Sequence, residues 1–303
     1  MNKNFIKQFF VTISVIFTVM FFFAVVRAQV NHPPAVQDVF VNNYAFNYSD
    51  LYSISNPITP AVGATKNIYV NGRVFDEDGV GTSYEDGDIN TIELQFYRSN
   101  IGANCTPDPN DCYRVYCSVT PNSGTVLNYS CLVELSYIAD STMTGGTHES
   151  EVWNAEVVAK DDAQSVDSTI KEIEINTILA LLIPQTLDFG TLTRAQATTS
   201  QNNVEYALVQ QGNDIASIEV SGTSMTCSVN GAISLGNIQW SLSDVGAGDP
   251  LTNALTSAPV GTGLNVGTDD DATLSKSLYW NIVMPEVVSG LCSGTSVISA
   301  IPF

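Results

Sequence analysis

Histidine is almost missing from this chain: 303 residues include only two, His32 and His148. That scarcity works against His-based acid–base catalysis and against imidazole metal centres. Basic side chains are few as well, 11 Lys and Arg against 31 Asp and Glu, for a formal net charge of −20. A polyanion of this kind is repelled by phosphate backbones and by anionic lipid, which excludes nucleic acid as a partner. No Gly-x-Ser-x-Gly, no His-Glu-x-x-His and no phosphate-cradling glycine loop before a helix occurs, so the common catalytic signatures are lacking. Beyond residue 28 no segment has a helical period. What is present is a chain that is 44% hydrophobic and only 14% charged. It is therefore no disordered acidic tail, and it can build one large or two ordinary domains.

The first 28 residues differ from the rest. They hold no acid and three of the basic residues, Lys3, Lys7 and Arg27, so residues 29–303 carry 31 acids against 8 bases, about −23. Residues 9–26 are apolar apart from Thr12, Ser14 and Thr18, and Ala28 supplies the small residue of a cleavage site. The segment reads as an export signal. Its apolar run is also just long enough to span a bilayer. Two fates are open to it: cleavage, or retention as an anchor in which residues 9–26 make the only membrane contact. Either places the remainder outside the cytoplasm, in the extracellular space or at the cell surface.

Export decides how the six cysteines are read. Cys105, Cys112, Cys117 and Cys131 cluster, and Cys227 and Cys292 stand apart. No Cys-x-x-Cys pair and no nearby histidine suggests zinc, and an even count in an exported protein favours disulfides. The early four allow three connectivities. We favour Cys105–Cys112 and Cys117–Cys131, with Cys227–Cys292 as a long-range bridge.

Short alternating runs separated by Gly, Asn, Asp, Ser and Pro dominate. Ile68/Val70/Gly72/Val74, Ile92/Leu94/Phe96, Tyr129/Cys131/Val133/Leu135/Tyr137 and Trp153/Ala155/Val157 each define one face of a strand, and Ile173 and Ile175 close the set. After residue 180 the pattern resumes in Val204/Tyr206/Leu208, Ile218/Val220, Met225/Cys227/Val229, Ile238/Trp240/Leu242 and Leu278/Trp280/Ile282/Met284, closing over residues 296–301. Such period-2 strands predict an all-β chain of two tandem sandwich domains, 29–180 and 181–303, after the signal or anchor segment 1–28. Residues 243–273, rich in Gly, Ser, Thr and Asp, read as exposed loops.

The sharpest candidate for chemistry is the acidic stretch Asp76-Glu77-Asp78-Gly79, continued by Glu85-Asp86-Gly87-Asp88. Carboxylates at alternate positions of a glycine-broken loop can converge oxygens on one hard cation, and calcium takes six to eight of them. Asp76, Asp78 and Asp161 are the expected ligands. The EF-hand register fails, because Gly87 occupies the twelfth position. The competing reading is a solvated acidic turn that keeps a strand edge from pairing. Asp269-Asp270-Asp271 is a poorer candidate, since neighbours on an extended chain point apart. Trp153, Trp240 and Trp280 fall on inward registers and are assigned to the core, while Tyr44, Phe46, Tyr48 and Tyr52 could form an exposed aromatic patch. His148 is placed in an exposed polar loop.

Residues Tyr69-Val-Asn-Gly-Arg-Val-Phe-Asp-Glu-Asp-Gly, Asp88-Ile-Asn-Thr-Ile-Glu-Leu-Gln-Phe-Tyr-Arg-Ser and Trp153-Asn-Ala-Glu-Val-Val-Ala-Lys-Asp-Asp resemble the Ig-like or cadherin-like repeats of prokaryotic surface proteins. Leu187-Asp-Phe-Gly-Thr-Leu and Tyr279-Trp-Asn-Ile-Val-Met-Pro resemble the opening and closing of a second Ig-like module. The resemblance implies calcium at acidic loops near module ends. Since that sandwich hosts many roles, function is an expectation of lower resolution. It is a non-enzymatic surface or envelope protein for adhesion or structural display, acting on a surface protein or glycan. A carbohydrate- or peptide-binding module and an atypical glycoside hydrolase are the alternatives.

Overall fold

The computed structural model describes residues 31–42, 56–80, 88–199, 201–246, 252–267 and 275–303. The export segment, the aromatic patch at 44–52 and the acidic triplet at 269–271 lie outside the described residues. The chain is all-β, with antiparallel sheets and no α-helix among the described residues.

In the first half β1 (Ala35–Asn42), β2 (Lys66–Phe75), β6 (Val126–Leu135) and β5 (Ser118–Ser123) form one sheet in the order β1-β2-β6-β5. A second sheet has the order β4-β3-β7-β8, from β4 (Cys112–Tyr116), β3 (Ile89–Arg98), β7 (Trp153–Asp161) and β8 (Val166–Ile173). The alternation read from sequence is the packing: Ile68, Val70 and Val74 of one sheet and Ile92, Leu94, Phe96 and Val157 of the other are buried in one shared core. Trp153 stacks on Phe96 at 4.8 Å between ring centroids, and its indole N–H donates to Asp140 O at 2.9 Å. That bond removes the penalty of burying a polar tip.

The remaining strands are β9 (Leu181–Leu182), β10 (Val204–Gln210), β11 (Ala216–Gly222), β12 (Met225–Cys227), β13 (Ala232–Ile233), β14 (Ile238–Ser241), β15 (Asn253–Ala254), β16 (Val260–Val266), β17 (Ser275–Ile282), β18 (Cys292–Ser293) and β19 (Ser296–Pro302). They pair as β15-β14-β17-β10-β9, β16-β11-β19 and β13-β12-β18. A second core gathers Tyr206, Leu208, Ile218, Val220, Trp240, Leu278 and Trp280. Two expectations need adjusting. Residues 243–273 are not all loop, since β16 pairs along β11; its Val-Gly-Thr-Gly-Leu-Asn-Val sequence hides a strand behind glycines. Val229 and Leu242, assigned to strands, lie beyond β12 and β14 and are exposed.

All three expected disulfides are present: Cys105–Cys112, Cys117–Cys131 and Cys227–Cys292. Cys117 sits where the chain leaves β4 for β5, with its N–H still bonded to Ile92 O of β3 in the β4 sheet, so its bridge to β6 ties the two sheets together. Cys292 lies on β18, directly opposite Cys227, and not in a loop.

Candidate metal centre

β2 ends at Phe75, and the chain turns sharply at once. Asp76 Oδ1 accepts the Asp78 N–H at 2.8 Å, and Gly79 takes φ of +105°, a conformation that side chains disfavour. Asp88 leads into β3, and its carbonyl accepts the Asp162 N–H at 2.8 Å. Opposite, β7 ends at Asp161, whose partner in the β3–β7 register is Ile89. The ends of β2, β3 and β7 therefore meet at one corner. Asp76, Asp88 and Asp161 each bring a carboxylate oxygen within 4.8 Å of the other two.

Asp76 and Asp161 are fully buried and Asp88 half-buried. Oδ2 of Asp76 and Oδ2 of Asp88 are shielded from solvent with no hydrogen-bond partner among the described residues. Burial first, and then the charges of Asp88, Asp78 and Asp161, pushes the Asp76 carboxyl above its usual range, despite the Asp78 N–H. Asp88 is pushed up by burial and then by Asp161, Asp78 and Asp162. Burial acts the same way on Asp161. There it is outweighed by hydrogen bonds from Asn31, Ser165 and Ala163, which hold the carboxyl below the usual value.

Of the expected ligands, Asp76 and Asp161 are brought together and the third member of the triplet is Asp88. Asp78 faces the chain that leads into β1: its Oδ2 accepts the His32 N–H at 2.6 Å, and the His32 ring lies 3.4 Å from Oδ1. Asn31 Nδ2 donates to Asp161 Oδ2 at 2.8 Å, so the same segment crosses the corner. An all-oxygen donor set with two unpartnered carboxylate oxygens fits a hard dication and offers nothing to a soft one.

A second charged cluster was hidden from the sequence. Arg98, buried at the end of β3, donates through Nη1 to both oxygens of Glu151 at 2.7 and 2.8 Å, and its Nε lies 3.0 Å from Asp140 Oδ2. His148 Nδ1 lies 2.8 Å from the same Nη1 and 3.2 Å from Glu151 Oε1. His148 is therefore half-buried in an ionic network, not loose on a polar loop.

No protein-family model and no curated protein matches the chain. Similar solved structures include one described as a chaperone–tip adhesin complex vital for synergistic activation of CFA/I fimbriae biogenesis, 10% identical over 90% of this chain and 91% of its own, with a TM-score of 0.29. A likeness of that size does not establish a shared fold.

Proposed function

We propose that this chain is an exported, non-enzymatic surface or envelope protein with an adhesion or structural display role. It is built as two tandem Ig-like sandwich units, 29–180 and 181–303, and a calcium ion closes one corner of the first. Export is supported by the pairing of all six cysteines, because disulfides persist in oxidising compartments. The observation that carries the calcium reading is the pair of buried, unpartnered oxygens on Asp76 and Asp88 beside Asp161. Three carboxylates this close repel one another, and no Lys or Arg ion pair reaches any of the three among the described residues. A dication resolves both problems by charge and by coordination. Extracellular modules meet calcium at levels that fill even weak sites.

Thermal melting with millimolar calcium and then with chelator tests this. Calcium at about ten times its Kd adds ~1.4 kcal/mol, read as a melting temperature higher by a few degrees. Asp76→Asn and Asp88→Asn should abolish the rise, and Asp78→Asn should keep it. An unshifted wild-type melt would remove calcium from the reading. Cell fractionation tests the export half separately: recovery in the cytoplasm with reduced thiols would sink it.

A further inference from the structure

The two halves enclose a cleft of about 670 Å³, well away from the carboxylate corner. This is the size at which small-molecule sites are found, roughly 300–1,000 Å³. The first half contributes Arg98, Asp108, Asn110, Asp111 and Asp140; the second contributes Asp214, Ile215, Lys276 and Phe303. Its floor is fixed. Thr147 donates through Oγ1 to Asp214 Oδ1 at 2.5 Å and through its N–H to Oδ2 at 3.2 Å, joining the halves within the lining. With the Ile215 N–H also on Oδ1, the Asp214 carboxylate is already engaged.

The polar groups left over alternate in kind. Arg98 spends Nη1 on Glu151 and points Nε at Asp140, while Nη2 lies 3.8 Å from Asp111 Oδ2, beyond hydrogen-bond length. Among the described residues its Nη2 has no hydrogen bond, and the Lys276 ammonium has neither a hydrogen bond nor an ion pair. Those are donors. The acceptors beside them are Asp111, the Asp108 oxygen left after Oδ1 takes the Asn110 N–H at 2.8 Å, and Asn110 Oδ1, the last buried without a partner. Burial, and next the charge of Asp108, pushes the Asp111 carboxyl up, as expected where carboxylates crowd without full compensation. Two apolar residues complete the lining: half-buried Ile215 and Phe303, which is 79% exposed.

We infer that this cleft binds a neutral saccharide. A sugar hydroxyl both donates and accepts, so adjacent Asp and Arg or Lys groups satisfy it from two sides. The C–H face of a pyranose is the apolar partner that an exposed ring such as Phe303 accepts. Charge sets the subclass: four carboxylates against Arg98 and Lys276 leave the lining near −2, on a chain of −20. That field disfavours sialylated or uronic glycans. The inference extends the surface role proposed above, but it is measured on purified protein and does not depend on localisation or on calcium.

The test is saturation-transfer NMR followed by calorimetry with maltotriose, cellotriose and mannotriose, each at up to about 10 mM, the range of weak recognition. At least one trisaccharide should bind. Lys276→Met and Phe303→Ala should each weaken it by about tenfold, as loss of a central contact does, with unchanged melting temperature. Asp111→Asn, which keeps the shape, should weaken it less. Three outcomes would overturn the assignment: no trisaccharide binds, binding survives both Lys276→Met and Phe303→Ala, or a free amino acid displaces the sugar.

Discussion

At the scale of single residues, burial of phenols is the most testable feature. Tyr97 on β3 donates to Glu156 Oε2 at 2.9 Å, and burial first, then that carboxylate, pushes its hydroxyl up to about 12. Burial raises Tyr113 and Tyr129 in the same direction. A pKa raised above the ordinary 10.0 means that the folded state holds the proton more tightly. The associated stability is intact below about pH 10 and is lost as pH climbs toward 12. Urea unfolding followed through that window should show wild type weakening faster than Tyr97→Phe, at a cost to the variant of ~1 kcal/mol near neutral pH. Parallel slopes would contradict it. Gly72 makes a different point. A Cβ there would collide with the Asp38 carbonyl and with the Tyr129 hydroxyl that donates to it. Gly72→Ala should destabilise by roughly 1–3 kcal/mol, as overpacking does, measured by chemical denaturation. Alternation placed Gly72 on the inward face; the demand for a missing side chain comes from β1 and β6, which no local pattern reveals.

Among elements, long strands with one buried face were legible because period two survives in the residues themselves: β2, β3, β6 and β7 appear where alternation put them. The edge strands β15 and β16 were not: β15 is only Asn253-Ala254, and two glycines interrupt the pattern of β16. The metal corner shows the same divide. Asp76 stood out by spacing, but Asp88 joins Asp161 only through the β3–β7 register, a pairing between residues more than seventy positions apart. Disulfide placement was more legible, because clustering and parity constrain it. The β12–β18 pair contains only two register positions and relies on Cys227–Cys292. Replacing both cysteines with serine should cost ~4 kcal/mol by loop-closure entropy, read from denaturant midpoints. A loss below 1 kcal/mol would mean that the pair holds without its bridge.

On the scale of the whole molecule, Asn213 is the pivot. Its N–H donates to Ile178 O at 3.0 Å and its Oδ1 accepts the Ile178 N–H at 2.6 Å; Nδ2 reaches Ala139 O and Asn176 O, both at 2.9 Å. Asn213→Ala leaves three backbone groups unpaired, at about 1–3 kcal/mol for each that stays dry. Hydrogen exchange should register this first at Ile178, and unchanged protection there would argue against the pivot. The disulfides behave differently, since all three lie wholly within 105–131 or 227–292. Between those spans runs an exposed stretch after β9, with Arg194 on its surface. A single tryptic nick there would yield a protein that still migrates as one particle in native gels and parts into two fragments in detergent without any reductant. The covalent armour is thus segmental, and a protease cutting at Arg194 would leave a complex joined by hydrogen bonds and packing alone.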